Sequence, residues 1–516
     1  MSENAGHKPL EGARLALATF ALSLATFMNV LDTTITNVCI PTISGDLGVS
    51  PSQGMWVITS FAVSNAIAVP LTGWLTQRIG QLRLFLWSVS LFILASLLCG
   101  CSVNLTMLVT FRVIQGLVAG PMIPLSMALL LQCFPKQKAG MAVAMWSMTT
   151  TVAPITGPIL GGWLTDNVSW PWIFYINIPV GIVAAVLTGV MLKGRESQTR
   201  KLPIDKVGLS LLVVWVGALQ ILLDKGKELD WFNSPTIVIL AVVALVTFSF
   251  FLVWELTEQQ PIVDLTLFAR RNFTTATVSL SLGYSVFFMN IVLTPLWLQQ
   301  IMGYTATWAG LVTAPVGILA IVLSPLVGRG LATLDPRLFA TGAFLVFAAI
   351  FFMRSGFSTG VDFSSVAATH LIQGIGLSGF MTSLTAIAIS GLAPERIPAA
   401  SGLLNFTRIM LGAFGASIGT TMWENRAAMH HARLAEQITP YSNISGLVLD
   451  KLAGIGLPKV QGLGLIETEL NRQAFMLSGT EIFYLSGLLC LLLSALIWAA
   501  RPVKATLAAK DTAGGH

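Results

Sequence analysis

The chain has 516 residues, of which 54% are hydrophobic and only 10% charged, with a mean hydropathy of +0.78 and a net charge of +6. A soluble globular domain carries about 25% charged residues, so this composition excludes one, and no long polar stretch exists to build one. Five cysteines (Cys39, Cys99, Cys101, Cys133, Cys490) are scattered through or beside apolar runs, with neither a disulfide framework nor metal-ligand spacing.

Fourteen apolar stretches of roughly the 20 residues that cross a bilayer lie near 14–39, 55–76, 84–103, 105–130, 141–165, 172–192, 206–223, 236–254, 273–298, 306–328, 338–354, 364–390, 397–422 and 480–499. They are numbered here as spans 1 to 14. The first has no convincing cleavage site, so it is expected to remain as a membrane helix. With a cytoplasmic N-terminus, the inner segments hold 19 Lys and Arg, while the short outer loops hold three, Lys225, Lys227 and Arg354. This asymmetry places both termini on the cytoplasmic side. The pI near 9.1 is then an orientation signal, and nucleic-acid binding loses its support.

Only Asp32, Arg112 and Arg408 fall well inside the spans. A charge in hydrocarbon costs about 3 kcal/mol or more, so those retained mark function by default. In span 1, helical spacing puts Ala25, Asn29, Asp32 and Thr36 on one face. Two readings fit Asp32: a proton carrier loaded and unloaded by alternating exposure, or a structural carboxylate satisfied by Thr and Asn neighbours. In span 4, Arg112, Gln115, Ala119, Met122 and Ser126 share a face. Arg112 lies close enough to the outer end to snorkel, or it tunes a nearby carboxylate without carrying the proton itself. Span 5 contains Ala153-Pro154-Ile-Thr-Gly157-Pro158-Ile-Leu-Gly161-Gly162, which describes a pliable, closely packed helix, either a hinge or ordinary packing. In span 13, Ser401, Asn405, Arg408, Gly412, Gly415 and Gly419 align, and Arg408 either binds an anionic group or snorkels.

The two ends of the chain repeat at an offset of 258 residues. Arg112-Val-Ile-Gln115-Gly116 matches His370-Leu-Ile-Gln373-Gly374, Gly157 and Gly161 match Gly415 and Gly419, and Asp32 falls opposite Asn290. An even number of spans separates the partners, so the repeat is parallel, as in transporters whose halves rock about a midplane site. Spans 1–6 and 9–14 form the halves, with spans 7 and 8 as an inserted hairpin. The expected domains are 1–192, a connecting region 193–272 with the hairpin, 273–499 with a long periplasmic loop near 423–479, and a cytoplasmic tail 500–516. Met28, Asn29, Gln115, Tyr284, Met289, Asn290, Trp297 and Asn405 are candidates for lining a hydrophobic central cavity.

Several of these segments carry a family resemblance. Gly73-Trp-Leu-Thr-Gln-Arg78-Ile-Gly80 resembles the cytoplasmic loop motif of the major facilitator superfamily, and Arg112-x-x-Gln115-Gly116 its span-4 motif. Gly157-Pro158-x-x-Gly161-Gly162 looks like the motif of its proton-driven exporters. Leu31-Asp32-Thr-Thr-Ile-Thr-Asn37-Val38-x-Ile-Pro41 resembles the first-span signature of the 14-span drug:proton antiporters. Trp56–Phe61, Asp224-Lys-Gly-Lys-Glu-Leu-Asp-Trp231 and Gly303-Tyr-Thr-Ala-Thr-Trp-Ala-Gly310 are similar to EmrB-type inner-membrane subunits in particular. Gln77 stands where the loop motif usually has Asp, Ala153 where the exporter motif often begins with Gly, and His370 at the place equivalent to Arg112.

The resemblance implies an all-α polytopic membrane protein with the major facilitator fold, fourteen transmembrane helices as two six-helix repeats plus a hairpin. It implies proton-coupled efflux of hydrophobic compounds from a bacterial inner membrane, with no cofactor or metal. Partners would be a periplasmic membrane-fusion adaptor and, through it, an outer-membrane channel. Asp32, Arg112 and Arg408 would couple protons, and Gly73, Arg78, Gly80, Pro154, Gly157, Pro158, Gly161 and Gly162 would form the conformational motifs. A proton-coupled nutrient importer of the same fold is the alternative, against which the span-5 motif argues. No nucleotide loop or ligand cluster supports an ATP-driven pump or an enzyme.

Overall fold

The computed structural model describes residues 10–502 apart from 136–138, 198, 200–204, 227, 259–260, 332, 393–395 and 440–442. The side chains of 139–148, 150–151, 154–155, 398 and 443–445 are likewise outside the description. Among the described residues twelve helices are long and apolar enough to cross a membrane. They are Gly12–Asp46, Pro51–Ile79, Gln81–Gly100, Leu105–Cys133, Trp172–Met191, Lys206–Lys225, Pro235–Thr257, Arg271–Gln300, Ala306–Gly330, Pro336–Ser355, Phe363–Ile389 and Lys459–Ala499. Two further long helices, Ala139–Asn167 and Ile397–Ala435, stand at the places of spans 5 and 13, so the arrangement is compatible with fourteen spans.

Helices prevail because a backbone in lipid must satisfy its own polar groups. Their ends follow local chemistry. Ser50 and Gln53 form a capping box before span 2, and the side chains of Asn104, Asp205 and Thr305 cap spans 4, 7 and 10. Gly80, with φ +101°, makes the break between spans 2 and 3 in a conformation that disfavours side chains. Spans 4 and 10 are interrupted at Gly120-Pro121 and Ala314-Pro315. The start of the 423–479 segment, from Trp423, reads in the sequence as a helix continuing beyond the membrane, and most of the described segment is helical. Span 13 runs on to Ala435, a helix covers Asn443–Gly454, and the last long helix begins at Lys459.

Span 1 packs on spans 5 and 6 and on the second half of span 4, while span 9 packs on spans 12 and 13. One core, around Met28, Phe61, Phe85 and Phe92, lies within the first half; another, around Phe287, Phe344, Phe347 and Phe380, is built mainly from the second half and takes in Ala62 and Ala66 of span 2 and Leu212 and Trp215 of span 7. A third cluster joins the halves, bringing Ile35, Cys39 and Ile58 together with Val292, Trp297 and Val312. Span 1 begins at what we term the near face and ends at the far face; this third cluster seals the far face. Span 8 is the most lipid-like, with Ile239 and Leu245 more than 60% exposed.

Candidate functional site

Asp32 is 0% exposed and Arg112 1%. Arg112 Nη1 donates to Asp32 Oδ2 at 2.6 Å and to Gln115 Oε1 at 2.7 Å, and its Nε donates to the Val57 carbonyl at 2.9 Å. Asp32 Oδ1 accepts from Asn177 Nδ2 at 2.8 Å and Gln115 Nε2 at 3.2 Å. Ser96 Oγ accepts from the same two amides, at 3.3 and 2.8 Å. The rings of Phe61 and Phe174 flank the guanidinium, with centroids at 4.2 and 5.6 Å. Spans 1, 2, 3, 4 and 6 thus converge on one ion pair inside the first half, towards the far face.

Each carboxylate oxygen meets N–H donors, an arrangement suited to an anion. Removing two charges from water costs several kcal/mol per ion, which their attraction offsets only when geometry is good and remaining donors are satisfied. Here Asn177, Gln115 and the Val57 carbonyl provide that satisfaction. A proton on Asp32 would remove the charge that fixes Arg112, and the network would have to rearrange.

The other expected residues are distributed differently. Met28 and Asn29 are buried in the first half, and Asn29 donates to the Ala119 carbonyl at 3.1 Å. Asn290 is buried and donates to the Val286 carbonyl at 2.8 Å and to Ser486 at 3.3 Å. Trp297 is buried, with Nε1 3.1 Å from Met476 Sδ. Met289 packs its side chain where Gly419 has no Cβ. Asn405 is exposed and bonded to its own turn. Arg408 does not join Asp32; its guanidinium lies 4.8 Å from the Tyr284 ring centroid, and its buried Nε has no partner among the described residues.

The glycine motifs make close contacts at and below the far face. A Cβ on Gly157 would lie 2.1 Å from Thr34 Oγ1, and one on Gly161 2.7 Å from the Ile35 carbonyl, so spans 1 and 5 touch along their backbones. On the opposite side of span 5, a Cβ on Gly162 would lie 2.3 Å from the Ala306 carbonyl, and one on Gly310 2.2 Å from the Pro158 carbonyl. Spans 5 and 10, from different halves, are therefore in contact. Pro154 has its side chain outside the described residues. At the near face Gly73 has open space, Arg78 lies 5.2 Å over Trp74, and Glu196 accepts from the Leu82 and Arg83 amides at 3.0 and 2.9 Å.

Sequence reasoning missed Asn177 and Ser96, lone polar residues in apolar runs whose single-helix spacing gives no sign of convergence. It also misplaced Arg354. Counted with the outer loops, Arg354 is 2% exposed, and it donates to Thr369 Oγ1 at 3.1 Å and Gln373 Oε1 at 2.7 Å. The 258-residue offset aligns Arg354 with Ser96, so the second half keeps the amide of Gln373 but carries its cation on a different helix. Glu255, in the last turn of span 8, is 1% exposed and accepts from the Val263 amide at 2.9 Å. No group of His, Cys, Asp and Glu among the described residues could hold a metal.

Residues 22–417 match the family model of the Major Facilitator Superfamily. The chain is 53% identical to multidrug export protein EmrB of Escherichia coli (strain K12) over 496 residues, 96% of this chain and 97% of that protein. It is 48% identical to fatty acid resistance protein FarB of Neisseria gonorrhoeae, covering 96% and 98%. Among solved structures, a bacterial homolog of the human lysosomal transporter Spinster matches with a TM-score of 0.60 at 14% identity, over 95% of this chain and 99% of that one. A POT family transporter in complex with 5-aminolevulinic acid matches with a TM-score of 0.63 at 14% identity, over 95% and 97%. The structural likenesses support the fold, and the sequence identities place the chain within it: it belongs to the major facilitator superfamily and, there, to the EmrB-type multidrug transporters.

Proposed function

We propose that this transporter exports hydrophobic or amphiphilic toxic compounds in exchange for protons, by alternating access of two rocking halves. The observation that carries the reading is the buried Asp32–Arg112 pair, whose 2.6 Å contact links span 1 to span 4 within a closed network. Protonation of Asp32 would neutralise that link, and deprotonation would restore it. A single charge crossing 100 mV yields about 2.3 kcal/mol, so one proton moving down about 150 mV sustains roughly a 300-fold substrate gradient.

The near face is taken as cytoplasmic and the far face as periplasmic, from the Lys and Arg asymmetry. Substrate then enters between the halves beside Tyr284, Asn405 and Arg408. The unpartnered Arg408 Nε suits the carboxylate of an amphiphile, and the ring of Tyr284 its apolar part. The names of the relatives, multidrug export and fatty acid resistance, agree with such compounds. The periplasmic segment 423–479 is assigned to a membrane-fusion adaptor leading to an outer-membrane channel. Exposed Leu447, Ile455 and Val460 support a partner there.

The test is uptake by proteoliposomes under an imposed pH gradient, with a fluorescent hydrophobic cation and a labelled fatty acid as substrates. Wild-type protein should accumulate substrate against its gradient and Asp32→Asn should not. Gradient-driven transport that survives Asp32→Asn would remove the carrier assignment. Deleting the periplasmic segment should abolish adaptor association; an intact adaptor complex would contradict that surface.

A further inference from the structure

The segment Asp224-Lys-Gly-Lys-Glu-Leu-Asp-Trp231, at the end of the inserted hairpin's first helix, is not used by the exchange mechanism. We propose that Asp224 is a latch by which the inserted hairpin holds the two halves shut at the far face, so that the hairpin takes part in the transport cycle.

The halves meet at the far face along two seams, spans 5 and 10 on one side and spans 2 and 13 on the other. The first is tied directly: Asp166 Oδ2 of span 5 accepts from the Thr307 amide of span 10 at 2.7 Å. The second is tied through a third party. Thr59 of span 2 donates to Asp224 Oδ2 at 2.9 Å, and Ser417 of span 13 donates to Asp224 Oδ1. Ser417 in turn accepts from Gln220 Nε2 at 2.7 Å, one turn back on span 7. One carboxylate of the hairpin thus receives a hydroxyl from each half. The 258-residue offset that relates the halves would put Glu424 at the place of Asp166. Glu424 lines the crevice beside Asp224, and Asp224 makes the cross-seam contacts.

The rest of the segment holds this carboxylate in place. Lys225 Nζ lies 5.5 Å over the ring of Trp56, at the start of span 2. Gly226 caps the end of span 7, where a Cβ would lie 2.5 Å from the Trp231 ring, and its carbonyl accepts from the Trp231 amide at 2.7 Å. Asp230 and Trp231 have positive φ, 57° and 50°, which side chains rarely adopt. Such conformations persist where surrounding structure over-determines them. The crevice lined by Ser52, Met55, Glu228 and Glu424 that reaches Asp224 has a free volume of about 10 Å³, hardly enough for one water. Thr59 and Ser417 belong to different halves, so outward opening must break the latch.

The proposal rests on the alternating-access reading, but its test needs neither substrate nor a proton gradient. Hydrogen–deuterium exchange of the full-length protein in detergent is followed at both seams, over residues 52–60 and 301–309. Asp224→Ala should speed exchange at both, about ten- to hundred-fold, the factor that a single charge-assisted hydrogen bond represents. Asp450→Ala, at an exposed carboxylate on the Asn443–Gly454 helix, should change neither seam. The double variant Thr59→Val/Ser417→Ala, which keeps the carboxylate, should repeat the effect and replaces Asp224→Ala if that variant does not fold. Acceleration confined to residues 52–60, or none at 301–309, would overturn the latch, whether or not wild-type protein proves to be a proton exchanger.

Discussion

Replacing Asp32 by Asn separates structure from transport at the central ion pair. The asparagine oxygen can still accept from Asn177 and Gln115, but the amide nitrogen then faces Arg112 Nη1 across a 2.6 Å contact. Arg112 stays buried with the Val57 carbonyl and Gln115 as its remaining acceptors. Breaking a buried pair by removing one partner costs about 3–5 kcal/mol, mostly from the stranded charge. The double variant Asp32→Asn/Arg112→Gln removes that charge, so the two substitutions should couple by about 2–3 kcal/mol. The assay is reversible denaturant unfolding in detergent, with monodispersity checked by size exclusion. Asp32→Asn should unfold at lower denaturant than wild type, and the double variant should recover most of the loss while remaining inactive in proteoliposomes. A double variant no more stable than Asp32→Asn alone would refute the assignment of the cost to a stranded guanidinium.

Gly310→Ala would place a Cβ 2.2 Å from the Pro158 backbone, overpacking the seam by about 1–3 kcal/mol; drug efflux from cells should fall. Gly342→Ala, where no atom lies within 4 Å, should leave efflux intact and stabilise its helix by about 0.5–1 kcal/mol. Arg354→Met removes a buried cation that has no salt bridge among the described residues, relieving several kcal/mol of desolvation, while leaving Gln373 Oε1 without its donor costs about 1–3 kcal/mol. The thermal midpoint should therefore rise, and a fall would contradict this balance. Glu196→Gln weakens the acceptor at the start of span 3 and should lower stability by about 0.5–2 kcal/mol, measured by the same unfolding assay.

Much of the fold was legible because membrane insertion leaves a coarse, strong signal: long apolar runs separated by Gly, Pro and charge. Asp32 and Arg112 were identified as isolated charges, but their partnership was not derivable from spacing within single helices. Asn177 and Ser96 stayed hidden because an amide or hydroxyl in an apolar run carries no direction. Arg354 and Glu255 were lost for a different reason. Each stands at the end of an apolar run, where hydropathy assigns a charge to the adjoining loop, whereas the helices of spans 11 and 8 continue through theirs, and Phe351 and Phe483 lie about 6 Å from the Arg354 guanidinium. The exporter motif read as a pliable helix because pattern alone could not reveal that Gly157 and Gly161 face span 1 while Pro158 and Gly162 face span 10.

Proton release on substrate binding tests the exchange most directly. Purified transporter in weakly buffered detergent solution is mixed with a hydrophobic cation such as tetraphenylphosphonium, and the pH is followed with an indicator dye over a range of starting values. Wild-type protein should release protons in proportion to substrate bound, and Asp32→Asn should bind substrate without release. Equal release from both proteins would place the exchanged proton elsewhere and end the account built on Asp32.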